Sequence, residues 1–89
     1  MSGAWSKDPE VDLHGMFAEE ALDCMERAIS DALAAGHHRL RVVHGKGMGI
    51  LRREVREALK HHPQVRTFQY APAHEGGEGV TVASLGSRY

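Results

Sequence analysis

Residues 39–59 read RLRVVHGKGMGILRREVREAL and contain a strand pattern, a glycine-rich loop and a helix pattern in direct succession. Apolar residues alternate within Arg39–Val43, which predicts a strand. After the glycines, apolar residues return at helical spacing and predict a helix over Ile50–His62, which Pro63 ends. The buried stripe of this helix is expected to comprise Leu51, Val55, Ala58 and Leu59. This strand, loop and helix form the middle of the predicted fold.

The flanking sequence adds elements on both sides of this segment. Alternation predicts three further strands, at Glu10–His14, Val65–Tyr70 and Val80–Leu85. A helix is predicted over Phe17–Ala35, although no capping side chain precedes it, and Gly36 is its expected stop. The expected buried stripe of this helix is Ala18, Leu22, Met25, Ile29, Ala32 and Leu33.

The order βαβαββ predicts an α/β fold, an α+β sandwich in which two helices pack on one four-stranded mixed sheet. The first two strands are expected to pair in parallel through a right-handed crossover. The last two are expected to form an antiparallel hairpin. Their connection, PAHEGGEG at 72–79, is longer than the tightest hairpin turns.

Length and composition limit the class of protein. The 89 residues fit one domain, with a flexible lead over 1–9, the domain over 10–85 and a tail over 86–89. The formal net charge of −1 gives no overall attraction for nucleic acid, so a polyanion site has to come from local clustering. No apolar run reaches membrane-spanning length and no signal pattern opens the chain, so a cytoplasmic location without a membrane partner is expected. The single Cys24 cannot form an internal disulfide or a cysteine metal cluster.

Two predicted strands end in the same dipeptide, in VDLHG at 11–15 and in VVHG at 42–45. Because the carboxyl ends of neighbouring parallel strands meet at one edge, His14 and His44 are expected to approach each other there. Glycine allows backbone amides to approach a phosphate closely, and the start of the next helix favours an anion. The expected phosphate-binding residues are Gly45, Lys46, Gly47, Gly49, Arg52, Arg53 and Arg56.

These features also have simpler explanations. Glycines after a strand often form only a tight turn, and helical arginines usually make a solvated face, but the two together favour an anion site. The loop is neither a dinucleotide fingerprint, since position 50 is Ile, nor a Walker loop, since Gly47 follows Lys46. Asp12, His14 and His44 could hold a divalent ion, but three scattered ligands are weak evidence. No metal site or required cofactor is therefore predicted, and a divalent metal stays open.

Three ordered blocks resemble an Smr (small MutS-related) domain: VDLHG, HGKGMGILRREV and EGGEGVTVASL, which together span Glu10–Leu85. The resemblance implies the βαβαββ fold and endonuclease activity or binding on DNA or RNA. The family's two functional blocks match Asp12-Leu13-His14 and His44-Gly45-Lys46-Gly47 here. In the third block, Gly76, Gly77 and Gly79 are expected to shape a loop at the same end of the sheet.

The GVTV ending of the third block resembles the Smr domains attached to the C-terminus of MutS-type ATPases of the second clade. The resemblance implies a link to recombination control and to rescue of collided ribosomes. The chain is therefore expected to be the C-terminal part of a larger protein.

Cleaving a phosphodiester requires a base, an acid and positive charge on the phosphoryl oxygens. The sequence favours His44 as the first proton-transfer group, with Asp12 and His14 orienting a water or a partner and Lys46 holding the phosphate. Hydrogen bonds that close the strand-to-helix turn are an almost equally good explanation for Asp12 and His14.

The substrate and the alternative function stay open. In RNA the 2′-hydroxyl could be the nucleophile and two histidines would suffice, whereas in DNA water must attack and a metal becomes more plausible. The alternative function is a non-catalytic module that binds nucleic acid or the ribosome.

Overall fold

The structure is a computed structural model that describes residues 8–86. Most of the predicted lead, including Trp5, and residues 87–89 of the predicted tail lie outside the described residues. The element order confirms the predicted βαβαββ: β1 (Glu10–Asp12), α1 (Ala18–Ala34), β2 (Arg39–Val43), α2 (Ile50–His61), β3 (Val65–Tyr70) and β4 (Val80–Leu85). Strand β1 is two residues shorter than predicted because the chain turns at His14 and Gly15.

One sheet carries the four strands in the order β1-β2-β4-β3. The predicted parallel pairing of β1 with β2 and the predicted antiparallel hairpin of β3 with β4 are both confirmed. Strand β4 also pairs antiparallel with β2, with Val42 opposite Thr81. Consequently β2 lies inside the sheet with a neighbour on each side, whereas β1 is an edge strand.

The core lies between the helices and one face of the sheet. Alternate residues of β2 and β4 point into it, such as Leu40 and Val42. The predicted stripe of α1 is partly wrong: Ala21 is fully buried, whereas Leu22 and Leu33 are only half-buried and pack against the edge of the core. The buried apolar cluster is Leu13, Ala21, Met25, Ile29, Ala32, Leu40, Val42, Val55, Leu59, Val65, Ala83 and Leu85.

The ends of α1 follow the sequence expectation. Phe17 stands at the N-cap and its side chain makes no capping hydrogen bond. At the other end Gly36 has φ +86, its N–H donates to Leu33 O at 3.0 Å, and the His37 N–H donates to Ala32 O at 2.8 Å. This pair of bonds is a Schellman stop, which satisfies carbonyls that the helix leaves free.

The connection between β3 and β4 is longer than a tight turn, as predicted. It contains two short 3-10 turns, Ala73–Glu75 and Gly77–Gly79. Within residues 8–86, no helix combines the length and apolar character needed to cross a membrane.

Candidate functional site

The glycine loop, His44–Gly49, links β2 to α2 and needs glycine for its backbone path. Gly45 has φ +79 and Gly49 has φ +83, values that residues with a side chain rarely adopt. Gly49 stands at the N-cap of α2, and its N–H donates to Lys46 O at 3.1 Å. The loop is therefore closed on itself immediately before the helix begins.

The loop between β3 and β4 holds the glycine loop in place. The carbonyl of Gly79 accepts from the N–H of His44 at 3.1 Å and from that of Gly45 at 2.9 Å. A Cβ at position 79 would lie 3.5 Å from Lys46 Cγ and 3.7 Å from the Gly45 backbone. These are ordinary contact distances, so the two loops touch here, and the third sequence block lies at the same end of the sheet as expected.

Because of these bonds, fewer backbone amides are available to an anion than expected from the sequence. The N–H groups of Gly45 and Gly49, expected to face a phosphate, are already donating within the fold. The N–H groups of Lys46 and Gly47 have no acceptor among residues 8–86. The middle of the glycine loop, rather than its two ends, is therefore the part that can donate to a ligand.

Asp12 and His14 form a hydrogen-bonded pair at the end of β1. His14 Nδ1 lies 2.5 Å from Asp12 Oδ1, and the same oxygen accepts the His14 backbone N–H at 3.1 Å. The hydrogen bond from the His14 ring lowers the pKa of Asp12, and the bond to Asp12 raises the pKa of His14. The backbone bond also closes the strand-to-helix turn, which is the simpler role expected from the sequence.

The His14 ring is open to a ligand. Its side chain is 70% exposed. Asp12 binds one ring nitrogen, Nδ1. The other ring nitrogen, Nε2, has no hydrogen-bond partner within the described part of the chain. A carboxylate that fixes one ring nitrogen and leaves the other accessible is a common arrangement for proton transfer.

His44 has the opposite environment. Its side chain is buried, and Nδ1 lies 2.9 Å from Gly45 O while Nε2 lies 2.8 Å from Thr81 Oγ1. Because a carbonyl can only accept, Nδ1 carries the hydrogen and Nε2 accepts from the Thr81 hydroxyl when the ring is neutral. Arg56 Nη1 in turn donates to Thr81 Oγ1 at 3.1 Å. Hydrogen bonds therefore run in one direction from α2 through β4 to the glycine loop.

Burial is the main cause that lowers the pKa of His44, and the positive charges of Arg56 and Arg52 lower it further. The surroundings thus favour the neutral ring, for which the hydrogen bonds run in the direction described. A proton-transfer role for His44 stays a prediction, and it would require the bond to Thr81 to open.

The structure therefore divides the three predicted catalytic residues. Asp12 contacts His14, and His14 lies against the glycine loop, since a Cβ on Gly45 would be 3.5 Å from His14 Cβ. The polar atoms of His44 instead face Thr81 and Gly45. Their action as one constellation stays a prediction.

The arginines of the predicted basic face lie along one side of α2, but their contacts differ. Lys46 and Arg53 are exposed, whereas Arg52 lies 3.3 Å from the carboxylate of Glu78. The Arg56 guanidinium lies over the ring of Tyr70 at 4.0 Å and over that of Phe68 at 5.0 Å. Such stacking holds Arg56 in one orientation.

Two shallow clefts flank the glycine loop. The loop cleft is lined by Gly15, Met16, Phe17, His44, Gly45, Lys46, Gly47, Met48, Gly49, Ile50, Leu51 and Arg52. The helix cleft is lined by Met48, Gly49, Arg52, Arg53, Arg56, Glu57, Lys60, Phe68 and Tyr70. The two clefts share Met48, Gly49 and Arg52, so they adjoin.

Sequence reasoning missed Thr81, Phe17 and Tyr70. For Thr81 a signal existed, because a polar residue occupies one of the alternate buried positions of β4. Phe17 had a weaker signal, an aromatic residue where a capping side chain normally stands. No local signal indicated that Tyr70 would meet an arginine of α2.

The suggestion that Asp12, His14 and His44 hold a metal gains no support from the geometry. Across residues 8–86, no group of three or more His, Cys, Asp or Glu side chains gathers closely enough to bind a metal ion. Asp12 and His14 lie together, but these two side chains are fewer than the three that such a site requires.

Known proteins are similar to this chain in sequence and fold. The family model described as Smr domain matches residues 11–86. The crystal structure of the Smr domain of Thermus thermophilus MutS2 is similar with a TM-score of 0.85 and 48% identity, covering 86% of this chain and 96% of that one. YdaL, a stand-alone small MutS-related protein from Escherichia coli, has a TM-score of 0.83 and 26% identity, with 97% of this chain and 72% of that one covered.

A curated relative is much longer than the matched region. Endonuclease MutS2 of Symbiobacterium thermophilum is 46% identical over 85 residues, which are 96% of this chain but only 11% of that protein. The chain thus spans about a tenth of the length of the curated relatives it matches.

Proposed function

The chain belongs to the Smr domain family, and from this premise we propose that it is an endonuclease domain that grips a nucleic-acid backbone and cleaves its phosphodiester bonds. The observation that carries the proposal is the exposed Asp12–His14 pair beside the glycine loop, whose Lys46 and free amides suit a phosphate. Curated relatives bear the name endonuclease MutS2, which supports the same reaction.

Within this proposal, the chemical roles follow from the exposure of the two histidine rings. Asp12 holds Nδ1 of His14, so Nε2 is presented to a phosphate lying against the glycine loop. The raised pKa of His14 favours the charged ring, which can protonate a leaving oxygen or stabilise a phosphoryl oxygen. This assignment departs from the sequence expectation that His44 transfers the first proton, because the ring of His44 is buried and engaged.

The phosphate is held by the centre of the glycine loop and the basic face. Lys46 and the amides of Lys46 and Gly47 contact the scissile phosphate, while Arg53 contacts a neighbouring one. Gly45 and Gly49 supply the backbone path rather than direct contacts. Arg52 lies where the loop cleft meets the helix cleft, and Arg56 lines the helix cleft; Glu78 and Tyr70, respectively, hold these two side chains in place.

The nucleophile depends on the substrate. With RNA, the 2′-hydroxyl attacks and a second group must accept its proton. With DNA, water attacks, and a divalent ion brought by the substrate or bound near Asp12 would supply charge that histidine cannot. The part that such a domain plays in recombination control or ribosome rescue belongs to a larger protein that carries it at its C-terminus.

The second candidate function is a nucleic-acid- or ribosome-binding module without cleavage. It is favoured by one observation, the backbone bond from His14 to Asp12, which gives that pair a purely structural use in closing the turn. Phosphate contacts alone would then account for Lys46 and Arg53.

The direct test incubates the domain with end-labelled single- and double-stranded DNA and RNA, with magnesium or with chelator. We expect cleavage of at least one substrate, and its chelator sensitivity reports whether a metal takes part. Salt-dependent binding without cleavage of any substrate would reject the endonuclease and support the binding module.

Binding at the glycine loop is tested by Lys46→Ala combined with Arg53→Ala. Affinity should fall for all sequences alike, and the slope of log affinity against log salt should shrink by about 0.7–0.9 for each phosphate that the variant no longer neutralises. Arg27→Ala on α1 is the matched control, because it removes an exposed arginine that lines neither cleft. An unchanged slope in the double variant would place the nucleic acid elsewhere.

A further inference from the structure

The exposed apolar side chains of this domain are concentrated around the candidate site. Within residues 8–86 the exposed large hydrophobic side chains are Phe17, Met48, Ile50 and Tyr70. Phe17, Met48 and Ile50 line the loop cleft, and Met48 and Tyr70 line the helix cleft. Single exposed hydrophobic residues are ordinary, but this grouping at one end of the sheet indicates a binding surface.

Phe17 has no structural use that explains its position. It stands at the N-cap of α1, where a polar side chain would stabilise the helix, yet it makes no capping bond. Its side chain is 87% exposed, so it contributes almost nothing to the core. It shares the loop cleft with Lys46 and with the loop amides.

The charges around these side chains indicate which ligand fits. Lys46 and Arg52 line the loop cleft together with Phe17, while Arg53 and Arg56 line the helix cleft together with Tyr70. Apolar rings interleaved with cations are typical of surfaces that bind single-stranded nucleic acid, on which bases stack while phosphates meet the charges. An apolar protein partner would gain little from so many cations.

We propose that the domain binds an unpaired strand and that Phe17 stacks on the base next to the phosphate held by the glycine loop. Duplex nucleic acid cannot supply this contact, because its bases are stacked on one another and only their edges are accessible. The strand continues over Met48 into the helix cleft, where Tyr70 and Arg56 meet a further nucleotide. This inference rests on the proposed nucleic-acid function and specifies its substrate as single-stranded.

Phe17 is a positioning residue in this scheme. It fixes the nucleotide, and thereby the phosphate, relative to His14 without taking part in proton transfer. The sequence connects the two directly, since VDLHGMF carries Asp12 and His14 at one end and Phe17 at the other.

The test measures binding by fluorescence anisotropy in a His14→Ala background, which is expected to slow cleavage, and gel analysis of each probe after the measurement checks that the strand is intact. The probes are a labelled strand of roughly 12 nucleotides, the same strand in a duplex, and an abasic strand of equal length, each as DNA and the first two as RNA. The abasic strand keeps every phosphate and removes every base, so it separates stacking from charge.

Phe17→Ala should weaken binding to the normal strand by about 5- to 150-fold and leave binding to the duplex and the abasic strand within about twofold. The salt slope should not change, since no charge is removed. Phe17→Trp should retain affinity, whereas Phe17→Leu, which keeps an apolar side chain without the ring, should behave like Phe17→Ala. Tyr70→Ala should weaken binding to the normal strand in the same direction.

Three results would overturn the inference. If Phe17→Leu binds as well as the parent, the contact is not stacking. If normal and abasic strands bind equally and Phe17→Ala has no effect, the domain binds backbone only, and the proposed function stands without this inference. If no probe binds at all, both the proposed function and this inference are wrong. Unfolding curves of each variant confirm the fold, which the exposure of Phe17 predicts to be undisturbed.

Discussion

The two His-Gly strand ends have the same local sequence and opposite environments. His14 follows the edge strand β1, so its ring extends into solvent and, among residues 8–86, forms a hydrogen bond only with Asp12. His44 follows β2, which lies between β1 and β4, so its ring is covered and meets Thr81 of β4. The position of a strand in the sheet, rather than the motif at its end, decides how far the histidine at that end is exposed.

The same difference sets the protonation of the two rings. The hydrogen bond to Asp12 raises the pKa of His14, whereas burial lowers the pKa of His44. Near neutral pH, His14 is therefore the better proton donor, and His44 is the neutral link between Thr81 and the glycine loop. Under the proposed function, His14 takes the chemical role and His44 holds the glycine loop.

The largest effect expected from this contrast is on catalysis. His14→Ala should lower the cleavage rate by about 10²–10⁴-fold, because it removes the accessible proton-transfer group. Its free energy of unfolding should change little, since the side chain is exposed. The measurements are single-turnover cleavage and urea unfolding of the same preparations, with Asp12→Asn as the companion variant that loosens the ring without removing it. Full activity of His14→Ala would return the proton-transfer role to His44.

The next effect is on stability and concerns His44. His44→Ala should lower the free energy of unfolding by about 1–3 kcal/mol, because the buried Thr81 hydroxyl and the Gly45 carbonyl each lose a partner. Urea unfolding gives the value. Thr81→Val, which removes the other side of the same bond, should not add its full cost in the double variant.

Full additivity of these two substitutions would show that the hydrogen bond from Thr81 to His44 is not formed in solution. Loss of cleavage in a His44 variant that keeps its stability would show instead that His44 acts chemically.

The smallest effect is on the pH dependence of stability. Since the pKa of His44 in the folded state lies below its ordinary 6.5, the unfolded chain binds more protons just below that pH, and stability should rise as the pH rises toward 6.5. The pKa of His14 is raised above 6.5, so its contribution is present below that pH and is lost as the pH rises through the folded-state value. The His44 contribution changes by at most about 1.4 kcal/mol per pH unit.

Unfolding curves at a series of pH values from acid to weakly alkaline separate the two contributions. The free energy of unfolding of the parent minus that of His44→Gln should rise with pH below 6.5. The free energy of unfolding of the parent minus that of His14→Gln should fall with pH above 6.5. Parallel curves for the parent and His44→Gln would mean that His44 titrates in the folded state as it does in the unfolded chain.

Much of the candidate site could be predicted from the sequence because its residues are close in the chain. The motif VDLHG placed Asp12 and His14 together, and HGKGMG identified the glycine loop before α2. The buried stripe of α1 agrees with the prediction at Met25, Ile29 and Ala32, but Ala21 is fully buried in place of Leu22, because a stripe chosen by hydrophobicity favours the larger residue. Periodicity alone does not report which of two neighbouring apolar residues faces the core.

The amino-acid sequence by itself determined the elements and their order, because periodicity and stop signals act over a few residues: β3 and β4 have the predicted bounds, and Gly36 ends α1 as expected. The difference in exposure between His14 and His44 comes instead from the packing of distant segments. That outcome depends on β4 inserting between β2 and β3, which brings Thr81 beside His44 and Gly79 beside Gly45. Burial and hydrogen bonding between distant residues arise from packing of the whole sheet, and no local pattern around His14 or His44 encodes them.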